Sequence, residues 1–165
     1  HLSDPKSLMV RWLRHYQIQR KSRLCKYALS DPKKFTSMRK EFLAAPATPA
    51  LHTAASMIFH AGVTNLSMTE VYVSPNDRIK LARKFGLIEQ DRGYEVLLIE
   101  PYYLELVRRY VSSPTIWKSA FSVLTFLDLY HFPIRGREQA EALYRKTLVL
   151  KSLGPWSAFE AVERV

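Results

Sequence analysis

Leu87-Ile88-Glu89-Gln90-Asp91-Arg92-Gly93-Tyr94-Glu95-Val96-Leu97-Leu98-Ile99-Glu100-Pro101 is the stretch whose reading decides the fold. Its core, Val96-Leu97-Leu98-Ile99, is apolar at every position, whereas a strand with one wet face alternates. That run is expected to be covered on both faces and to be the central strand of a sheet. Gln90-Asp91-Arg92-Gly93 has turn chemistry between two strand-like runs, Leu87 to Glu89 and Tyr94 to Glu100, so a hairpin is expected there.

Upstream, Thr69 to Ser74 reads as a strand and Pro75 to Phe85 as a short helix closed by Gly86. Arg23 to Leu29 alternates and fits a further strand. A polar residue before proline recurs at Asp4-Pro5, Asp31-Pro32, Thr48-Pro49, Ser74-Pro75 and Ser113-Pro114. The side chain can accept a hydrogen bond from an otherwise unpaired helix N–H, and proline at the first helical position gives up a donor that would be unpaired anyway. Five helix starts are therefore expected.

The first helix, about Pro5 to Gln19, stacks Leu8, Met9, Trp12, Leu13 and Tyr16 on one stripe. A second, Pro32 to about Ala44, buries Phe35, Met38 and Phe42; a third carries Leu51, Ala54, Ala55, Ile58 and Phe59 up to Gly62. Downstream helices are expected at about Pro101 to Val111, Pro114 to Tyr130 and Gly136 to Leu150. The Pro114 helix is apolar nearly all round, which marks a buried core helix over residues 114–130. The fold class that follows is α+β, with a small mixed sheet of about three to five strands packed by about six to seven helices. Residues 1–50 read as a basic helical segment packed on a mixed core at 51–154, with a tail at 155–165, together one compact domain. The chain opens on His1 and directly on a helix-start signal, so it is expected to be a fragment of a longer protein.

With 47% hydrophobic and 12% aromatic residues over 165 positions, the chain can bury a substantial core, which excludes a disordered tail. It has no apolar run near the roughly eighteen residues of a membrane span and no signal-peptide pattern, so a cytoplasmic location without membrane attachment is expected. The single Cys25 can form no internal disulfide and reads as a small half-buried apolar residue. The formal charge is +10, and residues 1–50 carry eleven Lys and Arg against Asp4, Asp31 and Glu41, a net of +8. Such an asymmetry suits a polyanion, whose condensed counterions are released when cations replace them. The candidate phosphate contacts are Arg20, Lys21, Arg23, Lys26, Lys33, Lys34, Arg39 and Lys40.

The chain holds no glycine-rich phosphate loop, dinucleotide fingerprint, paired-histidine metalloprotease motif or nucleophile elbow. His15, His52, His60 and His131 do not cluster, and neither a metal site nor a cofactor is expected. Glu70, Glu95, Glu100 and Asp128 lie where a nuclease sheet would keep magnesium-binding acids, but none is followed two residues on by the lysine such a sheet would carry. Asp128, among Phe126, Leu127, Leu129 and Tyr130, must find a partner if buried, and Arg135 or Arg137 is the expected one. Tyr102, Tyr103, Arg108, Arg109 and Tyr110 could stack on single-stranded bases, but a helix packing Leu104, Leu106 and Val107 explains them equally well.

Several of these stretches resemble the C-terminal region of AbiE-type abortive-infection antitoxins, the type IV antitoxin transcriptional regulators of bacteria. They are Phe85-Gly86-Leu87, Tyr94 to Ile99 ending at Pro101, Phe126-Leu127-Asp128-Leu129-Tyr130 and Arg135-Gly136-Arg137-Glu138-Gln139-Ala140-Glu141-Ala142-Leu143. Asp4-Pro5 with Leu8 and Trp12, His52-Thr53-Ala54-Ala55 and Val71-Tyr72-Val73 follow in the same order upstream. The chain departs from the pattern in its long Tyr102 to Tyr110 helix. In that family an N-terminal winged helix-turn-helix reads operator DNA, and the C-terminal domain counteracts a nucleotidyltransferase-like toxin without a stable complex. The resemblance implies that this chain is the C-terminal domain, because no winged helix fits before Asp4. It implies a non-enzymatic role in phage defence that supports DNA binding, autoregulation and toxin neutralisation, with weak phosphate contacts to DNA. Two other readings stay open: a divergent magnesium nuclease using Glu70, Glu95, Glu100 or Asp128, and an interaction scaffold for an acidic partner.

Overall fold

A computed structural model describes residues 4–63 and 67–165. The helices are α1 Pro5–His15, α2 Ile18–Lys21, α3 Pro32–Phe42, α4 Leu51–Met57, α5 Pro75–Lys84, α6 Leu104–Ser112, α7 Pro114–Tyr130, α8 Gly136–Lys146, α9 Leu148–Leu153 and α10 Trp156–Phe159. The strands are β1 Arg23–Leu29, β2 Thr48–Pro49, β3 Thr69–Tyr72, β4 Leu87–Glu89 and β5 Val96–Glu100. They form one mixed sheet in the order β2-β3-β5-β1-β4, in which only the β3–β5 pair is parallel. The class is α+β.

The apolar run of β5 lies in the middle of that sheet, and Val96 to Ile99 are wholly buried. Strand alternation divides it between two cores. Val96 and Leu98 pack with Tyr27, Val71, Val73, Phe35, Phe42 and Leu81, beneath α3 and α5. Leu97 and Ile99 pack with Tyr72 against the larger helical layer that contains Leu13, Phe121, Phe126 and Leu143. Covering on both sides explains why the run does not alternate.

The hairpin expected over 87–100 does not form. β1 lies between its two arms, with Tyr27 paired to Glu89 on one side and to Val96 on the other. The Gln90 N–H donates to the Lys26 carbonyl at 3.0 Å and the Glu95 N–H to that of Tyr27 at 2.9 Å, so the connection straddles β1. Strands two places apart are separated by roughly 10 Å, which six residues span easily. The Asp-Arg-Gly turn chemistry is equally suited to that crossing. Residues 1–50 thus supply an interior strand rather than an appendage.

Three of the proline pairs are capped helix starts. Asp4 accepts from the Ser7 N–H at 3.2 Å, Asp31 from Lys34 at 3.0 Å and Ser74 from Asp77 at 3.2 Å. Ser113-Pro114 opens α7 without a side-chain cap bond. Thr48-Pro49 starts no helix; it is β2, paired with Val71 and Tyr72, and α4 begins after Ala50. The first helix ends at His15, because Tyr16 and Gln17 turn extended and send the Tyr16 hydroxyl inward to Asp128. The helix expected to run to Leu150 breaks at Thr147, a β-branched residue in extended conformation whose hydroxyl donates to the Leu143 carbonyl at 2.7 Å. These breaks and the short α10 raise the count to ten helices among the described residues.

α7 is buried only in its second half. Phe121 to Tyr130 are buried except Val123, while Pro114 to Ala120 stand clear of the core and Ile116 is 75% exposed. Residues beyond 155 join the main core through Phe159 and Val162. No described helix is long and apolar enough to cross a membrane.

Candidate nucleic-acid interface

The eight cations singled out in the sequence do not share one surface. Arg20 and Lys21 ride on α2, with the Lys21 ammonium 5.5 Å from the Tyr102 ring centre. Arg23 and Lys26 are three apart on β1, so alternation sends them to opposite faces of the sheet. Arg23 reaches toward Glu100, 3.9 Å away, whereas the Lys26 ammonium sits 5.4 Å over the Tyr94 ring. Only Lys33, Lys34, Arg39 and Lys40 keep together, on α3.

The structure adds a second group. α5 contributes Arg78, Lys80, Arg83 and Lys84, and it lies beside α3 through the Phe35, Phe42 and Phe85 cluster, whose ring centres are 5.0–6.4 Å apart. A Lys84–Glu41 ion pair at 2.7 Å ties the two helices together on the outside. Eight cations thus face three acids on this layer, half of the chain's +10. Those acids are all engaged: Asp31 caps α3, Asp77 accepts from the Ser74 hydroxyl at 2.7 Å, and Glu41 holds Lys84. Arg78 turns inward, donating to Glu100 at 2.6 Å and to the Tyr27 hydroxyl at 2.9 Å, and Glu100 raises its pKa. Lys33, Lys34, Arg39, Lys40, Lys80 and Arg83 are exposed and lack a carboxylate within ion-pair reach among the described residues. Lys80 and Arg83 escaped the sequence reading because they lie about forty residues beyond α3; the only shared signal is the inward stripe of Leu81 and Phe85.

The buried carboxylates serve the architecture. Asp128 has neither Arg135 nor Arg137 as partner. Its two oxygens accept hydrogen bonds from the Tyr16 and Tyr72 hydroxyls, which reach it from α1's end and from β3. Arg135 instead pairs with Glu138 at 2.6 Å, and Arg137 lies over the Tyr130 ring at 3.6 Å while donating to the Glu160 carbonyl at 2.8 Å. The reason is direction: Asp128 points toward the sheet, whereas Arg135 is exposed on the turn and half-buried Arg137 is taken up by the Tyr130 ring and backbone carbonyls. Glu70 accepts from the Thr53 N–H at 2.9 Å and the Thr53 hydroxyl at 3.0 Å, capping α4 from a neighbouring strand where Ala50 cannot. Its other oxygen has no partner among the described residues. Glu95 accepts from the Leu29 N–H at 3.3 Å, and Glu100 is held by Arg78.

Histidines 52 and 131 are structural in the same sense. His52 Nε2 meets the Ile134 carbonyl at 2.7 Å, His131 Nε2 meets that of Leu13 at 2.6 Å, and burial lowers both pKa values. No three His, Cys, Asp or Glu side chains gather as a metal cage would need among the described residues. Cys25 is half-buried, and burial raises its pKa. Tyr110 stacks on Phe121 with ring centres 4.1 Å apart and Tyr103 lies 5.9 Å from Tyr16, so packing occupies two aromatics of the Tyr102–Tyr110 set.

Burial pushes Asp128 and Glu70 up to about 7, against the Tyr hydroxyl and Thr53 donors that pull them down. Both folded values exceed their unfolded ones, so the native state binds more protons than the unfolded chain across the interval between them. The resulting stability is complete below the unfolded values near 4 and is lost as pH rises to about 7. His52 and His131 act with the opposite sign, so the carboxylates are separated by difference. The stability gap between the native chain and Asp128→Asn, or Glu70→Gln, is expected to shift against the native chain by roughly 1 kcal/mol per pH unit between pH 5 and 7. Urea unfolding at three pH values measures it; a gap that stays constant would show no proton uptake there. No protein-family model, curated protein or solved structure matches this chain.

Proposed function

We propose that this chain is a non-enzymatic regulatory domain, similar in role to the C-terminal domain of abortive-infection antitoxin regulators, and that it contributes phosphate contacts to a DNA complex. The observation that carries the reading is the α3–α5 layer, where six exposed cations lie free of acids among the described residues on two helices joined by the Phe35, Phe42 and Phe85 rings and the Lys84–Glu41 pair. Such a face neutralises phosphates without reading bases. The buried acids support the non-enzymatic half of the reading, since Glu70, Glu100 and Asp128 are each held by fold contacts. Toxin neutralisation in that family proceeds without a stable complex, so it needs no large docking face.

Binding to a 20-base-pair duplex is expected to be weak, indifferent to sequence and steeply salt-dependent, with a log–log slope of about −4 to −5 for five or so phosphate contacts. Replacing Lys33, Lys34, Lys80 and Arg83 together by serine should reduce the slope by about 3 and the affinity at low salt by tenfold or more. Arg20→Ser with Lys21→Ser should change it less than threefold. Fluorescence anisotropy at 50, 100 and 200 mM salt reads both; a slope near zero, or loss only with the α2 pair, would overturn the assignment.

A further inference from the structure

On the layer across the sheet from the basic face, α4, α7, α8 and α9 surround an open pocket of about 410 Å³, within the range of about 300–1,000 Å³ common for small-ligand sites. Three basic side chains from separate parts of the chain converge on it: His60 in the turn after α4, Lys118 on α7 and Lys146 at the end of α8. α7 reads as apolar nearly all round, yet Thr115, Lys118, Ser119 and Ser122 fall at i, i+3, i+4 and i+7 and form one polar stripe, which lines the pocket. The Ser122 and Thr147 hydroxyls donate to the Ser119 and Leu143 carbonyls at 2.6 and 2.7 Å, which leaves those of Thr115 and Ser119 to a ligand. His60 has a φ of +54°, a left-handed conformation that glycine adopts without strain and other residues rarely do. The turn thus carries a side chain where the backbone favours none.

No acid offsets these cations. All fifteen Asp and Glu of the chain lie among the described residues, and none lines the pocket or comes within ion-pair reach of Lys118 or Lys146. Glu141, the acid nearest Lys146 along the chain, is held by Arg145 at 2.5 Å, and the first turn of α7 has no acid. The chain that supplies His60 has none between Glu41 and Glu70. Two uncompensated ammonium groups in a concavity favour a compact dianion, and free hydroxyls beside them supply the donors that phosphate oxygens accept. The rest of the lining is apolar. Phe59, whose ring stacks on Phe121 with centres 6.2 Å apart, shares the pocket with Ile58, Val149 and Leu148, the last of them 82% exposed. Inorganic phosphate would leave that surface in water, and duplex DNA keeps its bases stacked inside, so a phosphate carrying one flat ring uses both halves of the site. We infer that the pocket binds a nucleoside monophosphate, with Lys118, Lys146, Thr115 and Ser119 on its phosphate and Phe59 and Leu148 against its base.

The test titrates the full chain calorimetrically with each of the four ribonucleoside 5′-monophosphates, with inorganic phosphate and with the matching nucleosides. The best nucleotide is expected to bind at least tenfold more tightly than phosphate or its own nucleoside. Lys118→Ala with Lys146→Ala, both exposed, should weaken it at least tenfold at an unchanged denaturant midpoint. His60→Gly should weaken binding without lowering that midpoint, because glycine relieves the left-handed backbone. The variant with a neutralised α3–α5 face should bind the nucleotide as the native chain does, and excess DNA, duplex or single-stranded, should not displace it; failure of the DNA reading is thereby distinguished from failure of this one. No binding of any of the four at about 1 mM, where even a weak site fills by half, would overturn the inference. So would phosphate or nucleoside binding as tightly as the nucleotide, indifference to the lysine pair, a His60→Gly variant that loses stability and keeps its affinity, loss with the α3–α5 variant, or displacement by DNA.

Discussion

Replacing Tyr16 and Tyr72 together by phenylalanine is expected to destabilise the domain at pH 8, where the carboxyl is ionised, by about 3–5 kcal/mol, the range for removing the partners of a buried charge. Asp128 is 2% exposed, and both its oxygens accept from those two hydroxyls. Phenylalanine fills nearly the same space, so packing is kept while the carboxyl loses its donors. The single substitutions should each cost about 1–3 kcal/mol, because one donor remains. Without both, burial drives the Asp128 pKa still further up, and the loss should grow as pH rises through 7. Adding Asp128→Leu to the double variant should recover much of the stability, since no buried polar group is then left unmatched. Denaturant midpoints at pH 6 and pH 8 decide the matter. A double variant as stable as the native chain would show that the carboxyl finds water or another donor. Against a typical total of about 5–15 kcal/mol, a loss of this size depopulates the native state visibly.

That cluster also shows where the sequence stops being informative. Local signals were strong: β5 reads as a doubly covered strand from four consecutive apolar residues, and it is the middle strand of five. Asp31-Pro32 and Ser74-Pro75 mark helix starts because capping is decided within three residues. Long-range partnership is not encoded locally. Tyr16 lies 112 residues from Asp128, so nothing near either residue announces the pair, and the nearby arginines were the only visible candidates. The same limit hid the insertion of β1 between β4 and β5, since a turn sequence records its own backbone preference and not which strand lies beneath it. It also hid half of the basic face: the net charge of residues 1–50 was legible, but β1 divides those cations while α5 joins α3 from afar.

Gly136→Ala is expected to cost about 3 kcal/mol or more, the upper range for forcing extra atoms into a packed interior. Gly136 opens α8 after the tight turn from α7, and it is buried. A methyl group there would stand inside the contact distance of the Leu129 carbonyl oxygen and 2.8 Å from Phe132 Cβ. Neither can yield cheaply. The Leu129 carbonyl accepts the Phe132 N–H at 2.9 Å to close the turn, and Phe132 is 5% exposed beside the His52 ring. Displacing α8 would also pull Ile134 from His52, whose ring nitrogen meets that carbonyl at 2.7 Å, and Gln139 from the Ala61 carbonyl at 2.6 Å. The damage should therefore reach α4, which carries His52, and should appear there in hydrogen exchange as earlier opening of the α4 amides. Gly62→Ala is the matched control: its new methyl group would meet Oγ of the exposed Ser56 at 3.0 Å, which can rotate away, and Ser56 Cβ at 3.1 Å, which must give by a few tenths of an ångström, so a smaller loss of about 1 kcal/mol is expected. If the two glycine variants unfold at the same denaturant concentration, the α7–α8 turn is looser than its geometry requires.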